Sequence, residues 1–453
     1  MVNNNSNTPD KILAFIVRVI VWISGLVKPL SRLGLCRYEA YTEGQPLKIL
    51  LVGYNGARNT GADARVVALT QQLEQTLGAD KAELTVMTLD MENVEGYFTK
   101  AVHLLHFTSV FIFSLLRACS RHHAAILCEG STLTPTFAEA LCIFFCEAAG
   151  IMRKQGKPCI AYGSEVGKLN GWLAKLSSDL CQDTYFMVRT EESLHNLQQL
   201  GLKGHVGTDT AWTFQNIEGE QWALQQLKAV GWDGKQPLMG VAPLNPFCWP
   251  VRPSVWRWLK ALITRDFSQQ YDKIYFFSDS KTRRQQFESY LQAMTAATNR
   301  YSKEHHAFVV ILGMEKLDAK VCELLEQKVE APHAMFTSKT CDVFKMTGML
   351  RQLNILLTSR YHASVLSMER AIPIVAVSID ARLNGIMNEV ELDRHYLHHA
   401  TDDNLEERIV ASLQMASEHE QEIGDTIRQH LTIYKDKTKA MSQYFEKWLK
   451  EQF

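Results

Sequence analysis

An arginine and a histidine two positions apart, Arg360 and His362, are the residues of this chain best suited to chemistry. They follow the apolar run of residues 355–357, which predicts a buried strand, and open α/β sheets bind ligands at the carboxyl ends of their strands. Arginine offers a planar fork of donors to phosphate or carboxylate, and histidine exchanges a proton near neutral pH. The pair therefore suits an anionic substrate that must also be protonated. The alternative is a surface arginine and a structural histidine that tie down a loop.

The first turn that could face this pair is residues 53–63, Gly-Tyr-Asn-Gly-Ala-Arg-Asn-Thr-Gly-Ala-Asp, between a predicted strand and a predicted helix. Its glycines permit positive φ, and a strand–turn–helix of this kind aims backbone N–H groups at an anion. The spacing matches neither the dinucleotide-binding nor the P-loop pattern. Asn59 and Asp63 are its candidate substrate-binding residues. A plain strand–helix turn in which Asp63 caps the helix is the alternative.

Two more small-residue turns follow predicted strands in the same half, Glu-Gly-Ser at residues 129–131 and Gly-Ser-Glu-Val-Gly at residues 163–167. Because the carboxyl ends of parallel strands meet at one edge of a sheet, we expect the three turns to converge. Glu129, Ser131 and Glu165 are candidates for acid–base chemistry or for binding hydroxyl groups. The alternative is that each carboxylate caps a helix or pairs with a nearby arginine.

The length of 453 residues exceeds one ordinary core and predicts two domains. We place the first α/β domain at residues 46–225, the second at residues 226–400, and helices that pack back across both at residues 401–453. The overall charge of −1 argues against a nucleic-acid partner. Ten scattered cysteines without a repeated zinc spacing predict core thiols in a reducing compartment and no metal site.

Alternating strand and helix patterns predict an α/β fold in which two Rossmann-like halves face a cleft, the natural place for a ligand. Apolar periodicity predicts a helix at residues 101–118 and another at residues 254–267. A strand predicted at residues 273–277 joins the parallel sheet of the second half.

Residues 1–45 differ from the rest, because residues 11–30 are strongly apolar and carry basic side chains. The uninterrupted apolar runs are too short to span a bilayer comfortably, and Arg18 would lie near its centre. We therefore predict an amphipathic helix in the membrane interface, with Trp22 and the basic residues as anchors. The expected location is cytoplasmic, peripheral on the cytoplasmic membrane face. A helix packed on the protein's own surface and a spanning anchor are the alternatives.

Taken together, the motifs resemble those of the polysaccharide pyruvyl transferase family, in the family's order from about residue 48 to residue 395. The chain departs from the family pattern where Ala62 is inserted, where no glutamate follows Asp63, where Glu-Gly-Ser replaces a glycine triplet, and where Glu165 stands in a usually apolar turn. The matching segments are residues 53–63, 129–131, 163–167, 189–193, 209–211 and 359–363.

The resemblance implies a GT-B-like pair of Rossmann domains that transfers pyruvate from phosphoenolpyruvate to two hydroxyls of a sugar, giving a ketal. It implies that Arg360 and His362 bind phosphoenolpyruvate and serve the proton transfers, and that Arg189 contacts its carboxylate or phosphate. Asp209 and Asn245 complete the candidate substrate-binding residues. The acceptor is expected to be a cell-surface or lipid-linked glycan, with no cofactor and no metal.

Two other functions stay open on the sequence. A GT-B glycosyltransferase that uses a nucleotide sugar would hold the diphosphate on Arg360 and His362. A degenerate family member would be a non-catalytic, membrane-associated scaffold. Thermal stabilisation by phosphoenolpyruvate, by nucleotide sugars or by neither distinguishes the three.

Overall fold

Two parallel sheets, each flanked by helices, form the protein in the computed structural model, which describes residues 8–78, 80–108, 111–136, 138–249, 252–253, 275–277, 279–379 and 381–453. The predicted α/β fold with two Rossmann-like units is therefore confirmed. The strands are β1 (Leu47–Asn55), β2 (Ala82–Thr88), β3 (His103–His106), β4 (Ala124–Leu127), β5 (Cys159–Ser164), β6 (Tyr185–Val188), β7 (Lys203–Val206), β8 (Leu238–Ala242), β9 (Arg252–Pro253), β10 (Tyr275–Phe276), β11 (Phe308–Gly313), β12 (His333–Thr337), β13 (Ile355–Thr358), β14 (Ile374–Ser378) and β15 (Leu397–His399).

The helices of the described residues lie on both faces of the sheets and at the two ends of the chain. They are α1 (Thr8–Ser24), α2 (Val27–Arg32), α3 (Thr60–Leu77), α4 (Phe111–Ser120), α5 (Glu139–Lys154), α6 (Gly171–Leu180), α7 (Glu191–Gln199), α8 (Ile217–Ala229), α9 (Lys281–His305), α10 (Ala319–Glu326), α11 (Val343–Leu350), α12 (Tyr361–Ser367), α13 (Ala381–Glu389), α14 (Asp393–Tyr396), α15 (Leu405–Glu418) and α16 (Glu420–Gln452).

The strand order determines where a ligand can bind. The first sheet runs β3-β2-β1-β4-β5-β6-β7 and the second β12-β11-β8-β13-β14-β15, all neighbours being parallel. The order reverses between β1 and β4 in the first sheet and between β8 and β13 in the second. Crevices form at the carboxyl ends of strands at such reversals. The turn after β1, the turn after β4 and the Arg360 segment after β13 all lie at these points.

The long C-terminal helix α16 packs on both sheets. Its residues Phe445 and Trp448 join the core of the first sheet, whereas Ile427 and Tyr434 belong to the core of the second. The Tyr434 ring stacks on Trp212 with ring centroids 4.2 Å apart. The apolar positions of one helix therefore hold the two units in a fixed relation.

The helix predicted at residues 101–118 is wrong in its first half. Residues His103–His106 form β3, which pairs with β2 at the edge of the first sheet, and helix α4 begins only at Phe111. The outer residues of this strand are exposed and its inner two partly buried. A short apolar run of this kind does not distinguish strand from helix by periodicity, and its pairing with β2 decides.

The strand predicted at residues 273–277 is also corrected. Of residues 273–277 the structure describes 275–277, where β10 pairs antiparallel with β9 rather than joining the six-stranded parallel sheet. The helix predicted at residues 254–267 lies outside the described residues.

Helix α1 has two apolar faces. One face packs on the protein itself, because Ala14, Val17 and Val21 are buried in a hydrophobic cluster that also contains residues of α5. On the other face, Phe15 and Trp22 expose 67% and 65% of their surface. The same stripe contains Ile12, Ile16, Val19, Ile23 and, just beyond the helix, Leu26. Among the described helices, none combines the length and apolar character needed to cross a bilayer.

Candidate active site

Arg360 lies immediately after β13, and two carboxylates orient its guanidinium. Nη1 donates to Glu315 Oε2 at 3.0 Å, and Nη2 donates to Asp318. Burial raises the pKa of Asp318 to about 6, although Arg360 acts in the opposite direction. The side chain of Arg360 is 17% exposed, and its buried Nε has no hydrogen-bond partner. The guanidinium is therefore held by two carboxylates while its Nε–H is left without a partner.

His362, in the first turn of α12, faces the first turn of the other unit across the cleft. Its side chain packs on Gly61, where an added Cβ atom would come within 2.8 Å of His362 Cβ and closer still to the ring. Nε2 lies 3.4 Å from Asp209 Oδ2 without a well-aligned hydrogen bond. Burial lowers the pKa of His362, although Asp209 opposes this shift. The imidazole is therefore neutral near pH 7 and can accept a proton.

A buried carboxylate, Asp209, organises the floor of the site. Its Oδ2 accepts from Arg65 at 2.9 Å and from Arg189 at 2.7 Å, and its Oδ1 accepts from the Ala211 N–H at 2.9 Å. Burial raises the pKa of Asp209, but Arg65, His362 and Arg189 outweigh it and hold the pKa well below its usual value. The ionised carboxylate thus positions two guanidinium groups and faces the imidazole.

Arg189 follows β6 and connects the turns of the first sheet. Its Nη2 donates to Glu165, and its guanidinium carbon lies 5.0 Å from the centroid of the Tyr361 ring. A Cβ atom at Gly130 would come within 3.2 Å of Arg189 Nη1. The missing side chain at Gly130 therefore lets the turn after β4 approach the arginine closely.

Arg360, His362 and Arg189 border a cavity of about 160 Å³ between the two units. Glu315, Tyr361 and Arg382 add further polar groups to its lining. The rest of the lining includes apolar side chains. Within the described part of the chain, no group of three or more metal-ligating side chains is arranged to hold an ion. Six of the ten predicted site residues line this cavity, namely Asn59, Glu129, Ser131, Arg189, Arg360 and His362.

A second, polar cavity of about 540 Å³ adjoins the first and shares Arg189, Tyr361 and Arg382 with it. Glu165 and Asp209 line this second cavity rather than the first. The turns after β1 and β4 thus meet at the Arg360 cavity, whereas the turn after β5 opens onto its neighbour. The two cavities lie on either side of Arg189 and Tyr361.

Two predicted residues have other surroundings. Asp63 is buried beneath the first turn, where its Oδ1 accepts from the Gly56 N–H at 3.3 Å, and burial raises its pKa to about 7. Asn59, not Asp63, caps α3. Asn245 shapes a turn after β8, because its Oδ1 accepts from the Phe247 N–H at 3.0 Å, and it borders neither cavity.

The first turn also bonds to the second unit through its backbone. The Thr60 N–H donates to the Met314 carbonyl at 2.9 Å, and Asn59 forms an isolated antiparallel bridge with Glu315. Asn59 Oδ1 accepts hydrogen bonds from the backbone N–H groups of Gly61 and Ala62. The residue that caps α3 therefore also aligns the two walls of the cleft.

Arg65, Glu315 and Asp318 are among the residues of the site that were not found from the sequence. Arg65 is 1% exposed within an otherwise apolar stretch of α3, and an isolated arginine there is a recognisable sign of a buried ion pair. Glu315 and Asp318 follow β11, the same strand-end position that singled out Arg360. Their pairing with Arg360 joins residues more than 40 positions apart in the chain and is visible only in three dimensions.

Solved structures with the same architecture show what the fold is. The chain resembles Anabaena Alr3699/HepE in complex with UDP-glucose, with a TM-score of 0.54, 11% identity, and coverage of 89% of this chain and 100% of that chain. It also resembles S. aureus MnaA with UDP, with a TM-score of 0.51, 10% identity, and coverage of 84% and 90%. At such identities the likeness shows the fold alone, which is of the GT-B type as predicted.

Sequence comparison identifies the family. No curated protein matches the chain. The family model described as polysaccharide pyruvyl transferase matches residues 59–381, which include every predicted site residue and most of the chain. The protein is therefore a transferase that belongs to the polysaccharide pyruvyl transferase family.

Proposed function

We propose that this transferase moves a pyruvyl group from phosphoenolpyruvate to two hydroxyls of one sugar in a glycan, forming a ketal and releasing phosphate. The observation that carries the proposal is the Arg360–His362 pair after β13, which lines the cavity where His362 packs on Gly61. Arg360 Nε and His362 Nε2 are buried without hydrogen-bond partners. An unsatisfied buried polar group costs about 1–3 kcal/mol, so a phosphate or carboxylate oxygen that accepts a hydrogen bond from Arg360 Nε removes that cost.

The chemistry requires one proton on the methylene carbon C3 and capture of the resulting cation at C2 by a sugar hydroxyl. A second hydroxyl then displaces phosphate from C2. C3 gains one proton, the two hydroxyls lose one each, and phosphate carries the remaining proton away.

We assign the roles by position. Neutral His362 accepts the proton of an attacking hydroxyl, and ionised Asp209, 3.4 Å away, stabilises the imidazolium. Glu129, which lines the same cavity, is assigned to the proton transfer to C3. Arg360 and Arg189 bind the carboxylate and phosphate of the donor.

Phosphate release from phosphoenolpyruvate in the presence of a glycan panel tests this function. We expect phosphoenolpyruvate to raise the unfolding temperature and phosphate release to require an acceptor with two suitably placed hydroxyls. Arg360→Ala removes both effects, and Arg360→Lys removes the fork while keeping a charge beside its carboxylates. The matched control is Arg284→Ala, an exposed arginine of α9. Unchanged donor binding in both Arg360 variants would show that the site assignment is wrong.

A nucleotide-sugar glycosyltransferase is the second candidate, because Alr3699/HepE carries UDP-glucose on the same fold. In that case UDP-glucose, rather than phosphoenolpyruvate, raises the unfolding temperature. Stabilisation by neither ligand indicates a non-catalytic family member.

We also propose that the protein binds the cytoplasmic membrane face peripherally through the exposed stripe of α1. The stripe presents Phe15 and Trp22 to solvent on a helix whose opposite face is already buried. Residues 11–37 carry five basic side chains and no acidic one. Apolar surface with flanking positive charge is complementary to a bilayer that contains anionic lipid.

Co-sedimentation with phosphatidylcholine vesicles, with and without phosphatidylglycerol, tests the membrane proposal. We expect binding that increases with the anionic lipid and is lost in the double variant Phe15→Ser/Trp22→Ser. The control Ile217→Ser removes an exposed apolar side chain elsewhere, at the start of α8. If light scattering instead shows a dimer that the double variant dissociates, the stripe is a contact between copies of the chain and the membrane proposal fails.

A further inference from the structure

The Arg360 cavity extends into an apolar arm on the side of the first unit. Phe107 and Phe144 stack there with ring centroids 5.4 Å apart, and Phe111 meets Phe144 edge-on at 5.0 Å. Phe107 and Phe144 are buried, whereas Phe111 and Leu141 are partly exposed. We define the apolar arm by the residues Tyr54, Leu89, Phe107, Phe111, Leu141 and Phe144. Such a lining offers no polar partner to the phosphate and carboxylate of a small anionic donor.

The arm lies beside the N-terminal end of the membrane-facing helix. Helices α1 and α5 pack in parallel, because Val21 lies against Gly150, and Gly25, the residue after α1, lies against the Lys154 side chain, four positions further along each segment. Both helices advance about 1.5 Å per residue, so the same alignment continues toward their N-termini. It sets Ala14 beside the first turns of α5, where Leu141 and Phe144 line the arm.

We propose that the acceptor sugar enters the cavity attached to a hydrocarbon chain, and that the apolar arm binds the part of the chain nearest the sugar. This inference rests on the proposed function and adds the chemical class of the acceptor. The arm leads from the Arg360–His362 pair toward α5, and the exposed stripe of α1 lies beyond α5. A sugar carried by a membrane lipid can therefore reach the pair while its chain stays in apolar surroundings.

The chemistry of the lining favours a hydrocarbon over a nucleobase. The arm is built from phenylalanine and leucine side chains with a single tyrosine. The edges of a base carry donors and acceptors that need polar partners, and burying them unpaired is costly. Methylene groups have no such requirement and gain from each contact.

Matched acceptors test the inference. A panel of glycosides is prepared with methyl and with decyl aglycones, and phosphate release from phosphoenolpyruvate is measured for each pair. We expect kcat/KM to be at least 10-fold higher for the decyl member of the active pair. Leu141→Asn and Phe111→Asn, on two different elements, bring this ratio close to one, and Ile217→Asn, a matched exposed control, leaves it unchanged. Thermal unfolding verifies that each variant is folded.

The outcomes distinguish this inference from the function on which it rests. Equal kcat/KM for methyl and decyl acceptors would refute binding of a hydrocarbon chain in the apolar arm and would not affect the proposed pyruvyl transfer. If no glycoside supports phosphate release, the proposed function fails, and calorimetric binding of the decyl glycosides then decides the arm alone. Binding that Leu141→Asn weakens at least 10-fold supports it, and absence of binding overturns it. The Phe15→Ser/Trp22→Ser variant retains decyl glycoside binding, which separates the arm from the exposed stripe.

Discussion

Replacing Gly61 by alanine places a methyl group against the side chain of His362. The new Cβ would lie 2.8 Å from His362 Cβ, whereas ordinary contact begins at 3.4 Å, so the side chain must retreat by at least 3.4 − 2.8 = 0.6 Å. The ring atoms, which are closer, must move further. A displacement of about 1 Å in a catalytic group costs on the order of 100-fold in rate. Alanine in the first turn of α3 also gains about 0.5–1 kcal/mol of helix stability, which offsets the cost of moving a partly exposed ring.

We therefore expect Gly61→Ala to lower kcat for phosphate release by on the order of 100-fold while the unfolding temperature stays nearly constant. The matched control is Gly424→Ala in α16, where an added Cβ meets its nearest neighbour at 3.5 Å and activity is preserved. In a His362→Ala background, Gly61→Ala should add no further loss, because both changes act through one side chain. Full activity of Gly61→Ala, or additive losses in the double variant, would refute the role given to His362.

The remaining predictions concern buried charges. Both carboxylate oxygens of Glu147 are buried without a partner and burial raises its pKa well above the usual value, so Glu147→Met should gain about 1–3 kcal/mol. Since the native pKa is the higher one, wild-type stability falls as pH rises through about 4.5, and urea unfolding should show a larger gain at about pH 8 than at about pH 5. Asp209→Asn leaves two buried arginines without their shared carboxylate and should cost about 3–5 kcal/mol in urea unfolding, and a loss below about 1 kcal/mol would contradict the network. Burial lowers the pKa of His122 and His398 to about 4, so the protein should lose stability as pH falls from about 6.5 toward about 4, and His398→Gln should reduce that dependence in unfolding titrations.

The fold follows from the sequence where strands are buried on both faces. Runs such as β1 and β13 are almost entirely apolar, so their position and the turns after them are evident from composition. The edge strands β3, β7 and β15 are partly exposed and lack that pattern, and their existence depends on pairing with a neighbour. The sequence therefore predicts the central strands of each sheet but not these edge strands.

The site follows the same division. Arg360 and His362 could be found because they follow a central strand, and the structure places them on the cavity. Arg65 and Asp318 were missed because their function is to hold other side chains, and a buried ion pair joins residues far apart in the chain. Asp63 was selected from the same turn as Asn59, and only the hydrogen bonds show that Asn59 caps the helix while Asp63 is buried below it.

The backbone contacts between residues 59–60 and residues 314–315 have a consequence for how ligands enter. A hinge motion that separates the two units at this edge must first break the Thr60–Met314 hydrogen bond and the adjoining Asn59–Glu315 bridge. These contacts hold the two units together along that edge of the cleft. We therefore expect substrates to enter beside the apolar arm or through the second cavity, rather than through a gap that opens between the two units. The exchange rate of the Thr60 amide with deuterated solvent thus reports how often the two units separate at this edge.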